Sequence, residues 1–231
     1  MASLINYLKI SDVSLSIRET HSSPAEFLEK YRSIPDFEKQ SFINHYLINN
    51  GTFLFQDAPI IFERIIQYLS DKFLIPSANI RLIGSGKTGF KISSKQYGKH
   101  YISEESDLDF SVIDEKLFLQ LQNEFNSWSA DYSSGRLKPA TVVQEGYWIS
   151  NNKSVPNNLK FGFIDSYKIP NYNQYPFTKS VNQSMFLIKR HLEDVLSIKI
   201  KGASVRIYKD WTSFIKQLTT NLDRVLLNEL E

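Results

Sequence analysis

The sequence predicts an α/β (α+β) fold: a short mixed, twisted sheet with helices packed against it and helical additions at both ends. Three observations predict it. The segments NIRLIG and SDLDFSVID carry apolar residues in short runs or strict alternation, as strands do. The stretches around them repeat apolar residues every three or four positions, as amphipathic helices do. Turn-forming Gly, Pro, Asn and Ser separate the two kinds of segment. At 231 residues, with 42% hydrophobic and 23% charged residues, the chain suits one large globular domain or a domain with a helical extension.

In chain order, residues 23 to 50 read as two short helical segments divided at Ile34-Pro35. A helix follows in which Asp57 is the expected cap, Pro59 stands in the first turn, and Ile60, Ile61, Phe62, Ile65, Ile66 and Leu69 form the buried stripe as far as about Lys72. After the turn PSAN comes the strand NIRLIG, then a loop, then SDLDFSVID, where Leu108, Phe110 and Val112 alternate with Asp107, Asp109 and Ser111. Asp114 is placed to cap the next helix, whose apolar side is Leu117, Phe118, Leu121 and Phe125. Residues 131 to 158, rich in Ser, Gly, Asn and Pro, read as loops, with TVVQEGYWI a strand or a helix inside them. KFGFID at 160 to 165 is a third strand. Helices over about 179–197 and 209–227 close the chain, bridged by SIKIKGASVRIY as a hairpin or a paired strand. This divides the chain into a helical N-terminal arm (1–55), a core (56–175) and a C-terminal helical segment (176–231).

Composition narrows the functional classes. A formal charge of +2, with 27 Lys and Arg spread along the chain, gives no footprint of a nucleic-acid-binding protein. The absence of cysteine excludes disulfides and thiolate metal sites, and His21, His45, His100 and His191 have no zinc-ligand spacing. The start MASLINYLKISDVSLS lacks the order of a signal peptide, and no run of about 18 apolar residues occurs, so a cytoplasmic protein without a membrane partner is expected.

Residues 84 to 89, GSGKTG, resemble part of an ATP-binding phosphate loop. A Walker A loop needs another glycine where Arg81 stands, and it opens into a long helix, whereas GFKISSKQYGKHYIS has no apolar stripe of helical period. The better pattern is Gly84-Ser85 at the end of one strand with Asp107-x-Asp109 on the next. Carboxylates two apart on a strand project from one face and can hold Mg²⁺ or Mn²⁺ between them. Glycine lets the backbone approach a phosphate, the Ser85 hydroxyl donates to it, and Lys87 offers a mobile positive charge. Lys189, Arg190 and His191 read as a solvated helix face, and Trp128, Trp148 and Trp211 as core or interface.

The order helix, strand, Gly-Ser, strand with Asp-x-Asp, over residues 57 to 128 or to 165, resembles the minimal nucleotidyltransferase superfamily, the fold of DNA polymerase beta. The string from GSGKTGFKIS to SDLDFSVID is also similar to bacterial nucleotidyltransferase-like proteins, some encoded beside antiviral defence or toxin–antitoxin modules. The resemblance implies a polymerase-beta-like core that transfers a nucleoside monophosphate from a nucleoside triphosphate to an acceptor. That acceptor is a protein, an RNA end, a nucleotide or a small molecule. Gly84 and Ser85 would form the phosphate-binding turn and Asp107 and Asp109 the metal-binding acids. The family's third acid falls to Asp165, or else to Glu145. The segment YGKHYISEE, longer than the family's spacing, is expected to loop out beside the site. The same resemblance also admits a catalytically inactive module that senses nucleotide or docks a partner.

Overall fold

The structure, a computed structural model, describes residues 10–17 and 22–228. The first nine residues, residues 18–21 with His21 among them, and the last three lie outside the described residues, and with them part of the segment read for a signal peptide. The fold is mixed α+β. Its centre is a four-stranded mixed sheet of β1 (Ile80–Ile83), β2 (Asp107–Ile113), β3 (Phe163–Asp165) and β4 (Gly202–Tyr208), in the order β1-β2-β4-β3. β2 runs antiparallel to β1 and parallel to β4, and β3 runs antiparallel to β4. SIKIKGASVRIY therefore supplies one paired strand, and that strand stands inside the sheet.

Helices cover both faces, and strand alternation decides which residues meet them. On one face Leu82, Leu108, Phe110, Val112, Ile164, Val205 and Ile207 are buried against four helices: α4 (Pro59–Phe73), α6 (Glu115–Ser133), α7 (Val142–Lys160) and α8 (Pro176–Asp194). On the other face Ile113, Phe163 and Tyr208 join a second apolar cluster with α2 (Pro24–Ser33), α3 (Lys39–Ile43) and α9 (Trp211–Asn228). A one-turn α1 (Asp12–Ser16) precedes α2, and a one-turn α5 (Ser85–Thr88) follows β1. This second cluster covers only part of its face. The end of that face nearest Asp107 is left to polar side chains.

The arm follows its sequence signals. Ser23 and Glu26 form a reciprocal capping box at the start of α2, and the chain turns at Pro35 before α3, which continues into a π-helical turn over Asn44–Asn49. Tyr31 donates to Asp223 at 2.9 Å, joining α2 to α9. Among the described residues no helix is long and apolar enough to cross a membrane.

Two local expectations are corrected. The residue capping α4 is Ala58, without a side-chain hydrogen bond, because Pro59 occupies the first helical position and Ala58 donates its N–H back to Phe55 at 3.1 Å. Asp57 stands one residue outside. Residues 131 to 158 are mostly helical, since α6 extends to Ser133 and α7 runs for 19 residues with Pro156 inside it. Only Trp148 and Val155 of α7 are buried, seven positions apart, a stripe too thin to register as amphipathic. Thr141 caps it, accepting from the Gln144 N–H at 3.2 Å. Trp148 holds it down, meeting Trp128 edge-on at 5.7 Å and Tyr132 at 5.3 Å. Asp114 caps α6 as expected, accepting from Leu117 N–H at 2.9 Å.

Because α7 depends on so few buried side chains, Trp148→Ala is expected to destabilise the protein by about 3–5 kcal/mol. Denaturant unfolding followed by far-ultraviolet dichroism checks it, and a loss below about 1 kcal/mol would show that α7 is held by something other than this aromatic cluster.

Candidate functional site

The polar end of the second sheet face is a cleft of about 350 Å³. Strand register builds its floor. Asp107 lies opposite Gly202, Asp109 opposite Ser204, Ser111 opposite Arg206, and Arg206 opposite Asp165. Cross-strand partners share a face, so Asp107, Asp109, Ser204, Arg206 and Asp165 stand side by side on three adjacent strands. The Gly84-Ser85 turn closes one wall. Lys91, Ser93, Gln96 and Glu105, from the excursion between α5 and β2, form another. That excursion is tied down where Lys91 donates to the Lys99 carbonyl at 2.8 Å and Tyr101 to that of Gly89 at 2.7 Å.

Each carboxylate of the Asp-x-Asp pair has a glycine beside it. Gly84 sits at φ 72° and ψ −160°, a conformation that side chains resist, and a β-carbon there would come within 3.1 Å of Asp109 Oδ2. A β-carbon on Gly202 would approach Asp107 Oδ1 to 2.9 Å. The two glycines thus place no side chain of their own against Asp109 Oδ2 and Asp107 Oδ1.

The charges differ in setting. Asp107 is half-exposed, with the Lys201 ammonium 4.0 Å from its Oδ2. Asp109 is deeper. Burial pushes its carboxyl above the usual range; the Ser204 hydroxyl, donating to Oδ1 at 2.8 Å, pulls it back, the Asp107 charge raises it again, and Arg206 opposes. Asp165 is buried, its side chain 5% exposed, and its Oδ1 accepts from Arg206 Nε at 2.7 Å. The guanidinium also lies over the Phe163 ring, 4.5 Å from its centroid. At the bottom of the same face the hydroxyls of Ser111 and Tyr208 are buried close to each other and to the Arg206 guanidinium.

The structure thus brings Gly84, Ser85, Asp107, Asp109 and Asp165 to one cleft, and leaves Lys87 and Glu145 out. Glu145 is exposed in the first turn of α7 and lines no part of the cleft. Lys87, expected at a phosphate, is 4% exposed and directs its ammonium the other way, to the carbonyls of Ile48, at 3.4 Å, and Asn50. The backbone repeats this attachment: Phe53 donates to the Lys87 carbonyl and Leu54 to that of Gly86, both at 3.0 Å. GSGKTG is therefore a brace between the sheet and the N-terminal arm. Its helix lasts one turn and ends at Gly89, with φ 83°, before Phe90 pairs with His100, unlike the long helix that follows a Walker A loop.

Sequence reasoning missed Gly202, Ser204 and Arg206, which lie in GASVR. Their alternation of small or polar residues with Ala203 and Val205 was the available signal. The tryptophans stay out of the cleft. Trp128 and Trp148 are core, Trp211 lies under the Arg81 guanidinium at 5.4 Å, and the aromatic rings lining the cleft are Phe110, Tyr167 and Tyr208. Lys189 donates to the Lys201 carbonyl at 2.7 Å, and Arg190 pairs with Asp194 at 2.8 Å, consistent with a helix surface. Among the described residues, no group of three or more His, Asp or Glu side chains is arranged as it stands to hold a metal ion. Two carboxylates on one strand face with open space before them nonetheless suit a hard divalent cation whose other ligands come from a bound phosphate and water. Compared with family models, curated proteins and solved structures, the chain finds no match.

Two pH effects follow from these settings. The unfolded Asp109 ionises first as pH rises, so the contribution present in acid is lost as pH climbs through the raised folded value. Asp109→Asn, which cannot ionise, is expected to raise Tm by a few degrees at about pH 7 and hardly at all near about pH 3. Calorimetric melting at the two pH values measures this, and equal shifts at both would contradict it. Lys87 moves the other way. Burial, helped by the Arg81 charge, lowers it from the usual 10.5 to about 8. Between those values the unfolded chain holds a proton that the folded one has released, so stability rises with pH across that window and the gain is absent below it. Lys87→Met is expected to flatten that rise in urea-unfolding free energies; a parent curve with no such rise would count against it.

Proposed function

We propose that the cleft binds a nucleoside triphosphate with Mg²⁺ or Mn²⁺ and transfers its nucleoside monophosphate to an acceptor, on a polymerase-beta-like nucleotidyltransferase core. The observation carrying this reading is the pair Asp107 and Asp109 on one face of β2, beside the Gly84-Ser85 turn, with Gly84 and Gly202 placing no side chain of their own against the carboxylates. A helix, a strand ending in Gly-Ser and an antiparallel strand bearing Asp-x-Asp are the order expected of such a core, and α4, β1 and β2 follow it.

Asp107 and Asp109 would hold the cation, which, when bound, neutralises charge on the transferring phosphoryl group and aligns the displacement. The acceptor oxygen forms a bond to the α-phosphorus, and the bond from that phosphorus to the bridging oxygen of the β-phosphate breaks. Pyrophosphate leaves with the electron pair. The acceptor's proton passes to water at the half-exposed Asp107 end of the cleft. Ser85 donates to a phosphate oxygen, Lys201 and Lys91 offer positive charge at the rim, and Tyr167 offers a partly exposed ring for the base to stack on.

The second reading, an inactive nucleotide sensor or partner-binding module, is favoured by one observation. Asp165, the candidate third acid, is occupied by Arg206 and thus unavailable as a base in this arrangement. The two readings part in one assay. Incubation with each α-phosphate-labelled nucleoside triphosphate and Mg²⁺ or Mn²⁺ is expected to move label into protein, RNA or a small product, with a loss of at least about 100-fold in Asp107→Asn. Nucleotide binding by calorimetry without transfer would establish the sensor; neither binding nor transfer would sink the enzyme and the nucleotide sensor and leave the partner-binding module.

A further inference from the structure

We propose that Arg206 stands where a second divalent cation would otherwise sit, so that the cleft takes up one metal ion, on Asp107 and Asp109, and Asp165 serves the guanidinium instead of a metal. The inference rests on the reading of the cleft as a metal–nucleotide site. Register carries it first. β4 lies between β2 and β3, so any group bridging Asp109 and Asp165 must pass over β4, where Ser204 faces Asp109 and Arg206 faces Asp165. Both positions are filled. Ser204 donates to Asp109 Oδ1 at 2.8 Å, and Arg206 Nε to Asp165 Oδ1 at 2.7 Å.

The guanidinium is also hard to displace. It is clamped between the buried carboxylate and the face of Phe163, 4.5 Å away, and a charge-assisted bond to a carboxylate that is 5% exposed is costly to break because it would leave that charge buried and unpaired. A cation brought to Asp165 would meet this fixed positive charge. Charge balance points the same way. The acids lining the cleft, Asp107, Asp109, Asp165 and Glu105, against Lys91, Lys201 and Arg206 leave one negative charge, which one divalent cation already offsets; a second would leave a partly buried cleft with a large excess of positive charge before substrate arrives. Beside the guanidinium, the buried hydroxyls of Ser111 and Tyr208 are neutral and add no carboxylate for another ion. Arg206 then has a second task. Being always charged, and planar, it offers its remaining N–H donors to the phosphates, doing by hydrogen bonding what a second cation would do by coordination.

The test is Mn²⁺ titration of the full chain, counting sites from the paramagnetic resonance of free Mn²⁺. The parent is expected to take up one ion per chain and Asp107→Asn to weaken it by at least about 10–100-fold, the scale of a damaged metal site. Asp165→Asn should keep the single site with its Kd changed by less than about threefold, since Asp165 is not a ligand. Arg206→Met, if it folds, should gain a second site. Two ions per parent chain, or a loss of about 10-fold or more in Asp165→Asn, would overturn the inference while leaving the nucleotidyltransferase reading intact. No Mn²⁺ uptake by the parent, or uptake indifferent to Asp107→Asn, would remove the metal site itself and both proposals together. One site insensitive to Asp165→Asn, with no label transfer in the nucleotide assay, supports the inference and counts only against catalysis.

Discussion

The parallel pairing of β2 with β4 is the constraint on which the rest depends. Seven residues of each strand lie in register, from Asp107 with Gly202 to Ile113 with Tyr208. Because side chains alternate, one register decision sends Leu108, Phe110, Val112, Val205 and Ile207 into the larger core and turns Asp107, Asp109, Ser204 and Arg206 to the other side. A slip of β2 by one residue would turn Asp107 and Asp109 to the core and carry Leu108, Phe110 and Val112 out of it. The hydrophobic face thus specifies the charged one, and the cleft is as well determined as the core behind it.

On the charged face, the order of residues along β4 grades the electrostatics. Gly202 leaves Asp107 open to solvent and to Lys201, Ser204 gives Asp109 one hydrogen bond but no countercharge, and Arg206 neutralises Asp165 outright. The middle acid is the one left buried without a cation of its own. That arrangement costs stability, and under the proposed reading it is the setting in which a cation gains most, because desolvation strengthens every charge interaction it can make. Under the proposed reading, stability and cation binding pull in opposite directions at Asp109.

The GSGKTG segment divides its residues between two tasks. Gly84 and Ser85 shape the cleft wall, while Gly86 and Lys87 receive the chain arriving from the arm. Lys87 is buried, and that burial, with the Arg81 charge, lowers its affinity for a proton in spite of the carbonyls that accept from its ammonium. Through it the π-helical turn at Asn44–Asn49, and with it the aromatic cluster of Phe27, Phe42 and Tyr46, is joined to the strand that ends at the cleft. The arm is thereby part of the sheet's covering.

Local chemistry was legible in the sequence wherever neighbours along the chain decide it. The strands at NIRLIG and SDLDFSVID, the Asp114 cap and the break at Pro35 follow from alternation, a capping carboxylate and a missing N–H, and so did the grouping of Gly84-Ser85 with Asp107 and Asp109. α7 was not legible, because two buried residues in 19 leave no periodicity and its stability comes from aromatic rings brought in by α6. Nor was the role of Lys87, since a lysine after Gly-Ser-Gly reads as phosphate-facing until the carbonyls of Ile48 and Asn50 are seen beneath it. Tertiary structure alone decided that GASVR would run between β2 and β3 and set Arg206 on Asp165. Which strand pairs with which is a matter of contacts between residues 41 and 95 positions apart, as for Arg206 with Asp165 and Ser204 with Asp109, and no short-range pattern encodes that distance.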